Sequence, residues 1–107
     1  MGELRMTIPT QRVLESLLDD PTLELYGLEI GEAAGLRSGT VHPILARLEA
    51  YGWLTSRWED IDASAEGRPP RRYYKLTADG VQAASAALAR AYRPSPARRL
   101  RPQAGQA

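Results

Sequence analysis

The segment Ser38 to Gly52, SGTVHPILARLEAYG, places Val41, Ile44, Leu45 and Leu48 at i, i+3, i+4 and i+7. That spacing gathers four apolar side chains on one stripe of an α-helix, the arrangement that buries them together. The other face carries Thr40, His42, Ala46 and Arg47, small or polar and without an acid. A short strand-like run then leads to the tip Gly67-Arg68-Pro69-Pro70-Arg71-Arg72, rich in turn residues and arginine. The helix must therefore rest on its neighbours through the stripe, leaving its small face and the basic tip at the surface.

The rest of the chain supplies those neighbours. Thr7 can cap a first helix with Pro9 in its first turn, where the amides have no intrahelical partner anyway. Val13, Leu14, Leu17 and Leu18 form the apolar face of this helix, and Asp19-Asp20-Pro21 ends it. Leu23 and Leu25 flank Glu24 in what reads as a very short strand. A second helix over 26–34 turns Leu28, Ile30 and Ala33 or Ala34 inward and closes at Gly35. Leu36-Arg37 is the turn, and Ser38 reads as the cap of the third helix. Pro43 removes one hydrogen bond inside that helix, which predicts a bent first turn and regular helix from 43 to 51, closed by Gly52.

Beyond it, 54–59 reads as a strand with Leu54, Ser56 and Trp58 on one side and Thr55, Arg57 and Glu59 on the other. Residues 60–70 read as an open hairpin loop, and 71–76 as the returning strand with Tyr74 and Leu76 toward the core. Thr77 caps a last, alanine-rich helix, with Asp79 in its first turn. Along that helix Val81, Ala84, Leu88, Ala91 and Tyr92 make a narrow seam suited to a partner helix.

The pattern predicts an α+β, mainly α fold: a winged helix-turn-helix with a C-terminal dimerisation helix. Its divisions are a DNA-binding domain over 1–76, the dimerisation helix over 77–93 and a disordered basic tail over 94–107. At 107 residues the chain makes one domain with a modest core. Net charge is only +1, but Glu3, Glu15, Asp19, Asp20, Glu24, Glu29 and Glu32 crowd the first third. Positive charge collects at Arg68, Arg71, Arg72 and Lys75, and again at Arg90, Arg93, Arg98, Arg99 and Arg101. A polyanion responds to that distribution, not to the sum.

With no cysteine, disulfides, thiolate metal sites and cysteine nucleophiles are excluded. The single histidine, His42, lies on the small face of the third helix, which leaves no base for a catalytic serine and no metal set. No enzyme, metal or cofactor is expected. The absence of a signal-like N-terminus and of a long apolar run predicts a cytoplasmic, nucleoid-associated protein without membrane contact.

Candidate DNA contacts are Arg37, Ser38, Gly39, Thr40, His42, Pro43 and Arg47 on the third helix. Amides and hydroxyls at its start suit phosphate, while Arg47 suits a guanine edge or a phosphate. On the wing, Arg68 and Pro69 suit the minor groove and Arg71 and Arg72 phosphates; Tyr73 suits either phosphate or strand packing. Trp53 and Trp58 are assigned to packing. A two-fold interface is expected from Val81, Ala84, Leu88, Ala91 and Tyr92, assisted by Val13 and Leu17 of the first helix.

These pieces, in order, resemble the PadR-type transcriptional regulators. The resemblance spans about residues 10 to 92. It is carried by Tyr26-Gly27-Leu28-Glu29-Ile30, by Gly35 through Leu45, by Arg47-Leu48-Glu49, by Gly52-Trp53-Leu54, by Trp58-Glu59, and by Gly67 through Thr77 with Gly80. It implies a homodimeric repressor that binds double-stranded DNA at an imperfect palindrome, of a kind that some small hydrophobic or aromatic effectors release. His42 stands where many relatives carry Tyr, and the C-terminal region is as short as in the smaller members. The alternative is a winged helix used for protein binding, an anti-repressor or adaptor, which would lack the steep salt dependence of phosphate contact.

Overall fold

Local caps and glycine stops set most of the element boundaries. In the computed structural model, which describes residues 4–91, the elements are α1 (Ile8–Leu18), β1 (Leu25–Tyr26), α2 (Gly27–Ala34), α3 (Ser38–Ala50), β2 (Leu54–Trp58), α4 (Ala63–Glu66), β3 (Arg72–Leu76) and α5 (Ala78–Ala91). The Thr7 hydroxyl caps α1 by accepting the Thr10 amide at 3.3 Å. Gly35 ends α2 at φ 70°, in the left-handed region that favours glycine, while the Leu36 amide reaches back to the Gly31 carbonyl at 2.8 Å. Gly52, at φ 81°, ends α3 in the same manner, with the Trp53 amide on the Leu48 carbonyl at 3.0 Å.

The three strands form an antiparallel sheet in the order β1-β3-β2, with Ser56 opposite Tyr74 and Arg57 opposite Tyr73. Val41, Ile44, Leu45 and Leu48 meet Val13, Leu14 and Leu17 of α1, Ile30 of α2, and Leu54, Tyr74 and Leu76 of the sheet in one core. The α3 stripe read from the sequence is thus the centre of the fold. Trp53 packs on the edge of this core, half-buried.

Five features differ from the sequence reading. Leu28, expected inward, is 60 % exposed, because α2 turns only Gly27, Ile30, Gly31 and Ala34 to the interior. Arg37, not Ser38, is the cap of α3; it makes no side-chain bond, and its carbonyl takes the amides of Thr40 and Val41 at 2.9 and 3.0 Å. The helix also runs unbroken across Pro43, which lies on the exposed side where a carbonyl left without its amide can meet solvent. The expected open loop contains a helical turn, α4: Asp62 accepts the amides of Ser64 and Ala65, and Gly67 at φ 71° closes it. Trp58, assigned to packing, is 62 % exposed near the end of β2, because its strand outruns the core there.

The expected dimer seam also needs correction. Val13 and Ala84 are fully buried within the single chain, and Leu17 and Leu88 are 2 % and 8 % exposed. They fill the chain's own core, so none of the four has surface to offer a partner. Val81 is partly exposed and Ala91 is exposed. Tyr92 and the tail over 94–107 lie outside the described residues.

Candidate nucleic-acid interface

With α3 held by its stripe, ~100° of rotation per residue fixes the rest of its surface. Gly39, Pro43, Ala46 and Ala50 lie opposite the core, with Thr40 and Arg47 on one flank and His42 and Glu49 on the other. Arg37, Ser38, Gly39, Thr40, His42, Pro43, Ala46 and Arg47 are all exposed. The structure therefore leaves every sequence-assigned residue of this helix exposed, with no acid on α3 itself before Glu49, while Glu32 of α2 lines a recess with Arg37 and Ser38. At its start, the Ser38 and Gly39 amides have no helical carbonyl three or four residues before them, so they are available to an anion.

His42 is less free than the sequence implies. A Cβ on Gly27 would come within 2.8 Å of the His42 Cε1, so the imidazole lies against the first residue of α2 and ties the two helices together. Arg47 lines an open recess of about 330 Å³ with Leu4, Arg5, Thr7 and Tyr51. Arg5 is a cation that sequence reasoning did not assign: it carries no local signal and comes beside Arg47 only through the fold. Among the described residues neither Arg37 nor Arg47 is engaged in an ion pair.

The wing arginines are each engaged by the protein itself. Arg68 donates to both oxygens of Glu59, at 2.7 and 3.1 Å, and Glu59 also accepts the Arg71 amide at 3.2 Å. The Arg68 hydrogen bonds hold the Glu59 carboxyl at a pKa of about 2, against burial that acts in the opposite direction. Arg72 donates to the Ser56 hydroxyl at 3.0 Å and to Glu49 at 3.4 Å. Its guanidinium lies 5.4 Å from the Trp58 ring centre and 5.9 Å from that of Tyr74.

On the other face of the sheet, Arg71 stands over Tyr26 at 4.5 Å, Tyr26 meets Tyr73 edge-on at 5.7 Å, and Arg57 lies 5.2 Å from Tyr73. Arg57 also forms a two-pronged bond with Glu24, at 2.7 and 2.8 Å, which lowers the Glu24 pKa. Tyr73 thus packs against Tyr26 and Arg57 on the sheet surface. Pro69 stands exposed at the tip. The wing is a braced hairpin, and its positive charge is largely matched by Glu24, Glu49 and Glu59.

A second surface lies beside α5. Leu4, Met6, Tyr51, Trp53, Ala87, Arg90 and Ala91 line a groove of about 530 Å³. Ala91 is the one member assigned from sequence to the two-fold interface; Leu4 and Met6 precede the first helix and have no periodicity by which to be recognised. Among the described residues no group of His, Asp or Glu is placed to hold a metal, and no described helix is long and apolar enough to cross a membrane.

Comparison with known proteins agrees with this geometry. The family model "Transcriptional regulator PadR-like family" matches residues 23–86. No curated protein sequence matches the chain. Among solved structures, a MarR family transcriptional regulator from Silicibacter pomeroyi is 22 % identical with a TM-score of 0.56, covering 79 % of this chain and 54 % of its own. The protein smu.1704 from Streptococcus mutans is 20 % identical with a TM-score of 0.60, covering 83 % and 82 %. The PcaV transcriptional regulator from Streptomyces coelicolor, solved with its natural ligand, is 25 % identical with a TM-score of 0.60, covering 79 % and 55 %. The chain spans about half the length of the first and third of these. The shared fold is that of the winged-helix regulators.

Proposed function

Since the chain belongs to the PadR-like family of transcriptional regulators, we propose that it is a homodimeric repressor binding a pseudo-palindromic operator through α3 and the wing. Family and fold are those of DNA-binding regulators, not enzymes. The observation that carries the reading is the exposed face of α3 from Arg37 to Arg47, with two arginines that have no ion pair among the described residues, small side chains between them and no acid of the helix's own.

A helix of this kind enters the major groove, where a small floor permits close approach. The Ser38 and Gly39 amides and the Thr40 hydroxyl take phosphate, Arg47 reads a base edge or a phosphate, and Arg5 adds charge on the same flank. Pro69 at the wing tip approaches the neighbouring minor groove. Two copies join through the groove beside α5, using Ala91, with Val81 on the same helix, in place of the core residues, and set the two α3 helices about one turn of DNA apart, ~34 Å. A small hydrophobic effector that occupied the same groove would alter this spacing and release the operator. The protein would act in the cytoplasm, on the nucleoid.

Footprinting of the DNA upstream of the protein's own gene tests the reading. The expected result is two protected half-sites of related, inverted sequence, centred about ten base pairs apart. A single unpaired footprint would remove the dimer. No protection at any position would favour the protein-interaction module instead.

A further inference from the structure

The one acid of α3 is Glu49, and among the described residues its side-chain partners are on the hairpin. Ser56 of β2 donates its hydroxyl to Glu49 Oε2 at 2.6 Å, and the same hydroxyl accepts Arg72 Nε of β3 at 3.0 Å. Arg72 Nη2 closes the ring on Glu49 Oε1 at 3.4 Å. Three side chains, one from the helix and one from each strand, thus form a closed hydrogen-bonded ring. It is only half-exposed, with Arg72 at 42 % and Glu49 at 33 %. Trp58 and Tyr74 flank the guanidinium on the same face of the sheet.

A carboxylate so close to a surface meant for a polyanion opposes binding unless its charge is already matched. Here Arg72 matches it, and the shared hydroxyl fixes the geometry. We propose that Glu49, Ser56 and Arg72 form a brace that sets the angle between the wing and the groove helix, making Glu49 a positioning residue for operator recognition. Arg72, assigned from the sequence to phosphate, instead holds the wing. This inference rests on the DNA-binding reading. The gain is in specificity: a wing at a fixed angle meets the backbone in only one register relative to the bases that α3 reads. Affinity for arbitrary DNA, which needs only charge, does not depend on that angle.

The two roles open to Glu49 predict opposite results. If it acts only as a negative charge near DNA, Glu49→Gln tightens binding to every duplex alike and Ser56→Ala changes nothing. If it positions the wing, both variants lower the ratio of operator to scrambled-duplex affinity by ~threefold or more, and Ser56→Thr, which keeps the hydroxyl, restores it. The measurement is fluorescence anisotropy of the full chain and each variant on both duplexes, paired with hydrogen exchange of the wing amides in free protein. Faster exchange confined to residues 57–72, together with the fallen ratio, supports the brace. An unchanged ratio in Ser56→Ala overturns it. Should the unaltered protein show no operator preference, the regulator reading falls and the specificity role with it, while exchange still reports whether the ring holds the wing.

Discussion

Gly80 provides a prediction whose sign opposes intrinsic helix propensity. It occupies the first turn of α5, its amide donating to the Thr77 hydroxyl at 2.9 Å. A Cβ at this position would overlap the Trp53 carbonyl oxygen and come within 2.8 and 2.9 Å of the Trp53 carbonyl carbon and Cα. These are backbone atoms, so no rotamer change relieves the clash. The same oxygen accepts the Thr77 amide at 3.0 Å and the Thr77 hydroxyl at 3.3 Å, bonds that join α5 to the turn after α3. Propensity alone would make Gly80→Ala stabilising by ~0.8–1.0 kcal/mol. Overpacking costs about 1–3 kcal/mol, and each weakened hydrogen bond a further ~0.5–1.5 kcal/mol. The clash therefore wins, with a net loss of about 2–3 kcal/mol near the middle of these ranges. For a chain of this size that lowers Tm by roughly 10–20 °C. Thermal unfolding by circular dichroism, at one protein concentration because association would shift the midpoint, measures it. An exposed control, Ala86→Gly, should cost ~1 kcal/mol. A Gly80→Ala midpoint at or above that of the unaltered protein would refute the close approach of α5 to Trp53.

Leu88→Glu places a carboxylate in the core cluster that also holds Val13, Leu14 and Ala84. The lost burial and the unpaired charge together cost several kcal/mol against a total stability of ~5–15 kcal/mol, so soluble, folded protein should be lost altogether; a folded monomer would put Leu88 on the surface after all. Arg47→Ala should weaken operator binding by ~1–3 kcal/mol and relax preference at one base if Arg47 reads an edge, whereas an equal loss on scrambled DNA assigns it to phosphate. The Glu59 carboxyl, held down to about 2 by Arg68, stabilises the fold fully above the usual carboxylate range and loses that contribution as pH falls toward 2. Urea unfolding across pH 5 to 2 should therefore show a shallower acid slope in Glu59→Gln; identical slopes would mean the pair is broken in solution.

The parts of the fold legible in the sequence are those encoded by neighbours within a few residues. The α3 stripe, the stops at Gly35 and Gly52 and the cap at Thr77 each need only local spacing or a local backbone requirement. The brace does not: Glu49 and Arg72 are 23 residues apart, and a wing arginine looks the same in sequence whether it meets phosphate or a carboxylate of its own chain. The seam of α5 meets a related limit. A period of Ala84 and Leu88 states that a face is buried but not against which partner, and α1 of the same chain supplies one. Turn α4 was hidden because four residues carry no periodicity, and only the Asp62 cap and Gly67 betray it. The exposed face of α3 was readable because it is defined by what the stripe leaves over.

The central claim, sequence-specific binding through α3, is tested most directly by fluorescence anisotropy of the full chain across a salt series. The probes are the duplex upstream of its own gene and a scrambled duplex of equal composition. The account predicts affinity that falls steeply with salt on both duplexes, because neutralised phosphates release counterions, and a preference for the native duplex of ~10³-fold or more at physiological salt. Equal binding to both duplexes at every salt concentration, or none at the lowest, would contradict it.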